Sequence, residues 1–133
     1  MKLYVCNTFS PMMQEVDAGG ATMTVEISLD IAKKIMMKHR AISAISNSGA
    51  AAVISTLTGE NVISDRISIE LRSGDILLSF MCKYRPENSG DITIEKINSH
   101  GYRCFLSFKL EYTTLSEIKN IPKNVVEALD TAA

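Results

Sequence analysis

The chain has almost no net charge: 14 Lys and Arg face 15 Asp and Glu over 133 residues, a formal −1 at pH 7. No global positive field follows, which excludes attachment to duplex DNA or an anionic membrane through a basic stripe. A nucleic-acid ligand would have to be small or locally recognised, and no long nucleic acid is expected as a partner. Cysteine is scarce and unpaired in pattern. Cys6, Cys82 and Cys104 are odd in number and far apart, with no Cys-x-x-Cys and no neighbouring His group. Reduced, buried thiols and no metal site are the expectation. Apolar runs of membrane-spanning length are absent, and the opening Met1–Cys6 is interrupted by Asn7 too early for a secretory signal. The expected protein is soluble and cytoplasmic, with no membrane partner and no cofactor. Internal repeats, low-complexity tracts and interdomain linkers are lacking as well.

What is present suffices for one domain spanning 1–133, a sheet-and-helix core over 1–112 and a helical tail over 113–133. At this length roughly 68% of the unfolded chain's surface can be buried. Leu3–Cys6 reads as a first strand, ended by Asn7-Thr8-Phe9-Ser10-Pro11. Met12–Ala18 has room for a helical turn before Gly19-Gly20. Thr22–Ile27 has the composition and alternation of a second strand. Ser28 is an N-cap for a helix with Asp30 in its first turn, an Ile31/Ala32/Ile35/Met36 stripe, and an end near Arg40. A strand over Ala41–Ile45 is followed by a helix in which Ala50, Val53, Ile54 and Leu57 recur at helical spacing until Gly59.

Further along, Ile67, Ile69 and Leu71 alternate with polar residues, as do Ile76, Leu78, Phe80 and Cys82 with their neighbours, predicting an antiparallel hairpin around Ser73-Gly74-Asp75. Asp91–Ile97 and Tyr102–Tyr112 are two more strand candidates, joined by a hairpin turn at Asn98–Gly101. Pro122 and the apolar residues from Ile118 to Leu129 predict a short turn and an amphipathic helix in the tail. The fold class is α/β: a single domain with a mixed, mostly antiparallel β-sheet and flanking helices.

The most informative stretch is Ala41–Glu87. A strand stops at Ser46-Asn47-Ser48-Gly49 and a helix begins, leaving free backbone N–H groups beside small polar side chains, an arrangement suited to phosphate. The basic strand end Lys83-Tyr84-Arg85-Pro86-Glu87 follows and can close the same site. Arg85 offers a planar fork for two bonds to a phosphate. Arg66 and Lys83 are further cations, with surface salt bridges as the alternative for each. Asn7 and Ser10 can donate and accept hydrogen bonds, or stabilise a turn. Phe9 can stack on a base or anchor the core.

The composite of Asn7-Thr8-Phe9-Ser10, Ser43–Ser48, Asp65-Arg66-Ile67, Ser73-Gly74-Asp75 and Arg85-Pro86-Glu87 resembles small viral and prokaryotic ring nucleases. These are the anti-CRISPR proteins that degrade cyclic tetra-adenylate, a family that also contains an archaeal turreted icosahedral virus protein. The resemblance implies a homodimer that binds a cyclic oligoadenylate made by type III CRISPR systems at its two-fold interface. It also implies metal-independent cleavage by attack of a ribose 2′-hydroxyl on the adjacent phosphorus. A junction His acts in such enzymes as general acid, with an Arg and a Glu near the later strand end. For a viral protein the host cytoplasm is then the expected location.

Here the chain departs from that pattern. Where the family reads Ala-Ile-Gly-His, this chain reads Ala44-Ile45-Ser46-Asn47, and an amide cannot donate a proton near neutral pH. Glu87 follows Arg85 more closely than the family spacing. His39, at a helix C-terminus, is read as a surface histidine. His100, in the turn Asn98–Gly101, is the substitute acid if that loop folds over the site. The candidate set is therefore His100 and Glu87 for catalysis, with Asn7, Ser10, Ser46, Asn47, Ser48, Arg66, Lys83 and Arg85 for the ligand. The expected function is binding of a cyclic oligonucleotide with sequestration or slow cleavage. The alternatives are a fully active ring nuclease using His100 and a non-enzymatic protein or DNA interaction module.

Overall fold

The computed structural model describes residues 1–8, 20–86 and 91–111. Within them the order is β1 (Leu3–Cys6), β2 (Gly20–Ile27), α1 (Leu29–Lys38), β3 (Ala41–Ala44), α2 (Ser48–Thr58), β4 (Ile76–Cys82), α3 (Ile94–His100) and β5 (Tyr102–Glu111). The strands form one five-stranded sheet in the order β2-β5-β4-β1-β3. β1 lies parallel to both β3 and β4. β5 runs antiparallel to β2 and β4, and these antiparallel ladders are the longer ones. The expected mixed α/β domain is the one observed.

Local chemistry accounts for the helices. Ser28 Oγ accepts the Ile31 amide at 3.3 Å to start α1, which buries Ala32, Ile35 and Met36 and ends with His39 as its C-cap. Gly59 closes α2 at φ 76°, a left-handed conformation that costs a glycine nothing. All three helices contribute to a single core on one sheet face, where Val53, Ile54 and Ile97 meet Val5, Leu78, Phe80 and Leu106.

Two expectations fail, and both failures bear on the site. Residues 67–71 do not pair with β4, because both edges of β4 are already occupied by β1 and β5. The alternation there is real but marks one-sided burial. Ile69 and Leu71 cover Tyr4, Cys6 and Leu77 on the second sheet face, without a ladder. Asp75 anchors the end of that cover: its carboxylate accepts the backbone amides of Lys2 and Arg72 at 3.0 and 3.2 Å.

The predicted strand over Asp91–Ile97 and the predicted hairpin turn at Asn98–Gly101 are replaced by α3. Thr93 Oγ1 accepts the Lys96 amide at 3.2 Å as N-cap, Glu95 lies in the first turn, and Gly101 ends the helix at φ 90°. With Ile97 fully buried, the single apolar anchor of α3 seats it on the core, and a cap at each end outweighs the strand propensity of Ile92-Thr93-Ile94. The helical turn expected over Met12–Ala18 and the tail helix expected over 113–133 lie outside the described residues.

Candidate functional site

A cavity of 710 Å³ opens beyond the carboxyl ends of β1 and β4, beside the first turn of α2. This is where open α/β sheets commonly hold ligands, because the strand ends leave a crevice there. Four separate segments supply its walls. Asn7 and Thr8 follow β1, Asn47 caps α2, Lys83–Pro86 extend β4, and Gly101–Arg103 begin β5. The Lys83 amide donates to the Gly101 carbonyl at 3.1 Å, carrying the β4–β5 pairing one step beyond β4.

At the junction, side-chain amides lock three segments together. Asn7 Oδ1 accepts the Ser46 amide at 3.1 Å, and Asn7 Nδ2 donates to Ser46 Oγ at 3.0 Å. Arg66 Nε donates to the Ser46 carbonyl at 3.2 Å. Ser46 is thus a hub that joins the end of β1, the start of α2 and the segment after it. Asn47 Oδ1 accepts the Ala50 amide at 2.7 Å, and Asn47 Nδ2 donates to Ser46 Oγ at 3.3 Å. The oxygen of Asn47 is therefore spent on capping, and only its N–H groups can face a ligand. A methyl added at Gly49 would lie 3.4 Å from Asn47 Oδ1 and 3.9 Å from Pro86 Cγ, so the β4 extension closes directly over this turn.

The charge of the walls is cationic and uncommitted on one side. Lys83 and Arg85 are exposed and line the cavity, and among the described residues neither is in an ion pair. Arg103 also lines it but is engaged. Its guanidinium binds the Glu26 carboxylate at 2.6 and 3.3 Å and lies 5.0 Å from the Phe105 ring centroid. The hydrogen bond from Arg103 holds the Glu26 carboxyl below its usual range.

Cys82 is the thiol on the cavity wall. Burial pushes it up to about 11, with the Arg85 cation pulling the other way. It stays protonated near neutral pH and is no nucleophile. Cys104 is pushed up to about 12, again by burial first. The buried Cys6 is also raised, and its Sγ donates to the Thr8 carbonyl at 2.8 Å. Cys6 and Cys104 are buried in the core, and Cys82 packs against its edge.

The structure brings Asn7, Asn47, Lys83 and Arg85 around one cavity. Ser46 and Arg66 stand behind it through the junction network, and Ser48 is the first residue of α2. Ser10 and Glu87 lie outside the described residues. His100 is not on the cavity wall. It ends α3, where its Nδ1 donates to the Lys96 carbonyl at 2.8 Å, and its ring packs against Tyr84 with centroids 5.0 Å apart. The expectation of a catalytic loop folding over the site is corrected: the residue sits on a helix end, one ring removed from the cavity. His39, the C-cap of α1, lines a separate cavity beside β3. Among the described residues no three His, Cys, Asp or Glu side chains cluster as metal ligands.

Sequence reasoning missed Tyr84 and Tyr102, both half-buried on the cavity wall, and the helix that backs one of them. The signal was there in Thr93, Glu95 and Gly101, which together read as cap, first-turn acid and helix stop.

Matched against known proteins, residues 3–104 fit the model of the STIV B116-like family. The chain belongs to the STIV B116-like family. A viral relative, Uncharacterized protein 26 of Sulfolobus islandicus filamentous virus (isolate Iceland/Hveragerdi), is 32% identical over 82 residues, spanning 61% of this chain and 70% of the relative. Among solved structures, B116 of Sulfolobus turreted icosahedral virus superposes with a TM-score of 0.68 at 16% identity, covering 81% of this chain and 99% of that one. At that identity the likeness concerns the fold. The family match ends at residue 104, so it includes every described wall of the cavity, and the family's members named here are viral proteins. No helix among the described residues is long and apolar enough to cross a membrane.

Proposed function

We propose that the chain binds a cyclic oligonucleotide second messenger, a cyclic oligoadenylate by its resemblance to the ring nucleases, and lowers its free concentration by sequestration or slow cleavage. The effect would be to damp type III CRISPR antiviral signalling in an infected cell. The observation that carries this reading is the convergence of Asn7, Asn47, Lys83 and Arg85 on one 710 Å³ cavity at the start of α2. Two cations without ion-pair partners among the described residues, together with amide donors, form an anion-binding wall. Sequestration is favoured over fast turnover because position 47 is an amide already spent as a helix cap, and His100 is off the wall.

The test incubates the purified protein with a panel of labelled cyclic oligonucleotides and separates bound, free and cleaved species. Binding of cyclic oligoadenylate with little cleavage is expected. Rapid cleavage would make the chain an active ring nuclease, and no binding to any ring would leave an interaction module.

A ring with repeated phosphates is matched by two copies of one set of side chains about a two-fold axis, so the proposed site is shared by a homodimer. Light scattering at micromolar concentration should give twice the 14.6 kDa chain mass. A monomer with and without ring would sink the shared-site arrangement.

A further inference from the structure

The cavity has a second character that phosphate binding leaves unused. Besides its polar groups, the lining includes the core residues Val53 and Ile54 of α2 and Phe80 of β4, together with the half-buried Tyr84 and Tyr102. Tyr84 stands in sequence between Lys83 and Arg85, which make no ion pair among the described residues, and all three line this cavity.

Tyr84 also has neighbours on the side of α3. Its hydroxyl donates to the Asp91 carbonyl at 3.4 Å, and Lys96 Nζ donates to the same oxygen at 2.9 Å. Its ring meets that of His100 at an interplanar angle of 53°. His100 is itself fixed by the bond from Nδ1 to the Lys96 carbonyl, and α3 is seated on the core by the buried Ile97. A flat side chain pre-set by a helix loses little freedom on binding a flat partner.

We propose that the aromatic side of this cavity is a nucleobase subsite in which Tyr84 supplies the stacking face and His100 is a positioning residue holding Tyr84 from behind. The inference rests on the reading that the ligand carries nucleotides. Stacking of a base on an aromatic side chain is tolerant of base identity, so Tyr84 would set affinity for nucleotides over simple phosphates and leave base choice to other contacts.

Calorimetric titration of the full chain with cyclic tetra-adenylate tests it, using Tyr84→Phe, Tyr84→Leu, His100→Phe and His100→Ala, each checked by thermal melting. Tyr84→Phe and His100→Phe should bind within about twofold of the natural chain, since both keep an aromatic ring. Tyr84→Leu should weaken binding on the order of tenfold, the lower part of the range for loss of a stacked base. His100→Ala should weaken it less but measurably. Equal affinity in Tyr84→Leu and the natural chain, or equal losses in Tyr84→Leu and Tyr84→Phe, would overturn the stacking role. An unchanged His100→Ala would overturn the positioning role, and this exposed site keeps the test available if Tyr84→Leu fails to fold.

If the natural chain binds no cyclic tetra-adenylate, the proposed function falls separately. Adenosine monophosphate at millimolar concentration then reads the subsite directly. Binding lost in Tyr84→Leu and kept in Tyr84→Phe sustains it, and no binding, or binding indifferent to Tyr84, overturns it.

Discussion

Asn47→His is expected to create or increase metal-independent cleavage of a bound cyclic oligoadenylate, by up to the ~10²–10⁴ that a positioned general acid contributes. On the proposed reading, the cavity walls gather Lys83, Arg85 and the Asn7 and Asn47 amides to position a phosphate, and the substitution adds a proton donor to that arrangement. The same substitution has a structural cost. Asn47 Oδ1 holds the Ala50 amide, and loss of such a cap destabilises a helix by roughly 0.5–2 kcal/mol. A melting temperature lower by a few degrees should therefore accompany the gain in cleavage. Cleavage is followed by separating linear from cyclic product between pH 5.5 and 8. A folded variant that binds the ring as before, yet cleaves no faster at any pH in that span, would show that an absent general acid does not define this site.

Arg85→Ala should weaken binding of the ring by ~1.5–3 kcal/mol, the range for a hydrogen bond to a charged partner, while leaving the fold intact. Arg85 is exposed on the cavity wall, and no ion pair among the described residues engages it. Its removal costs no internal contact of that kind, so an affinity loss would report the ligand. Arg66→Ala provides the contrast. Arg66 acts through Ser46 and stands off the wall, and its loss should loosen the junction with a smaller change in affinity. Titration of both variants at one salt concentration, beside their melting curves, separates the two roles. Unchanged affinity in a normally melting Arg85→Ala would return Arg85 to an ordinary surface cation.

Local signals carried much of the architecture. Ser28 and Gly59 bound their helices in the structure as they do in the sequence, because a cap is satisfied or broken within four residues of itself. The strands over Leu3–Cys6, Ile76–Cys82 and Tyr102–Glu111 were legible as short apolar or alternating runs, although β1 and the first five residues of β4 are buried on both faces. That same pattern failed over Ile67–Leu71. Alternation states that Ile69 and Leu71 are buried on one side, and it is silent on whether their backbone finds a partner strand. With β1 and β5 on both sides of β4, no edge of β4 remained for them, and only Leu71 makes an isolated bridge.

By itself the sequence determined the strand-to-helix junction at Ser46-Asn47-Ser48-Gly49, the nearby cations Lys83 and Arg85, and an amide rather than an imidazole at position 47. These are properties of residues and their immediate neighbours. Only the tertiary structure decided that Asn7, Asn47 and Arg85 meet, because that depends on β1 lying between β3 and β4 with its carboxyl end beside the start of α2. It also decided the place of His100. A Thr cap, one buried Ile and a closing glycine turn 94–100 into a helix, which sets the imidazole behind Tyr84 and off the cavity wall. Strand propensity at Ile92-Thr93-Ile94 pointed the other way, and it lost because burying Ile97 in the common core outweighs a few tenths of a kcal/mol of local preference.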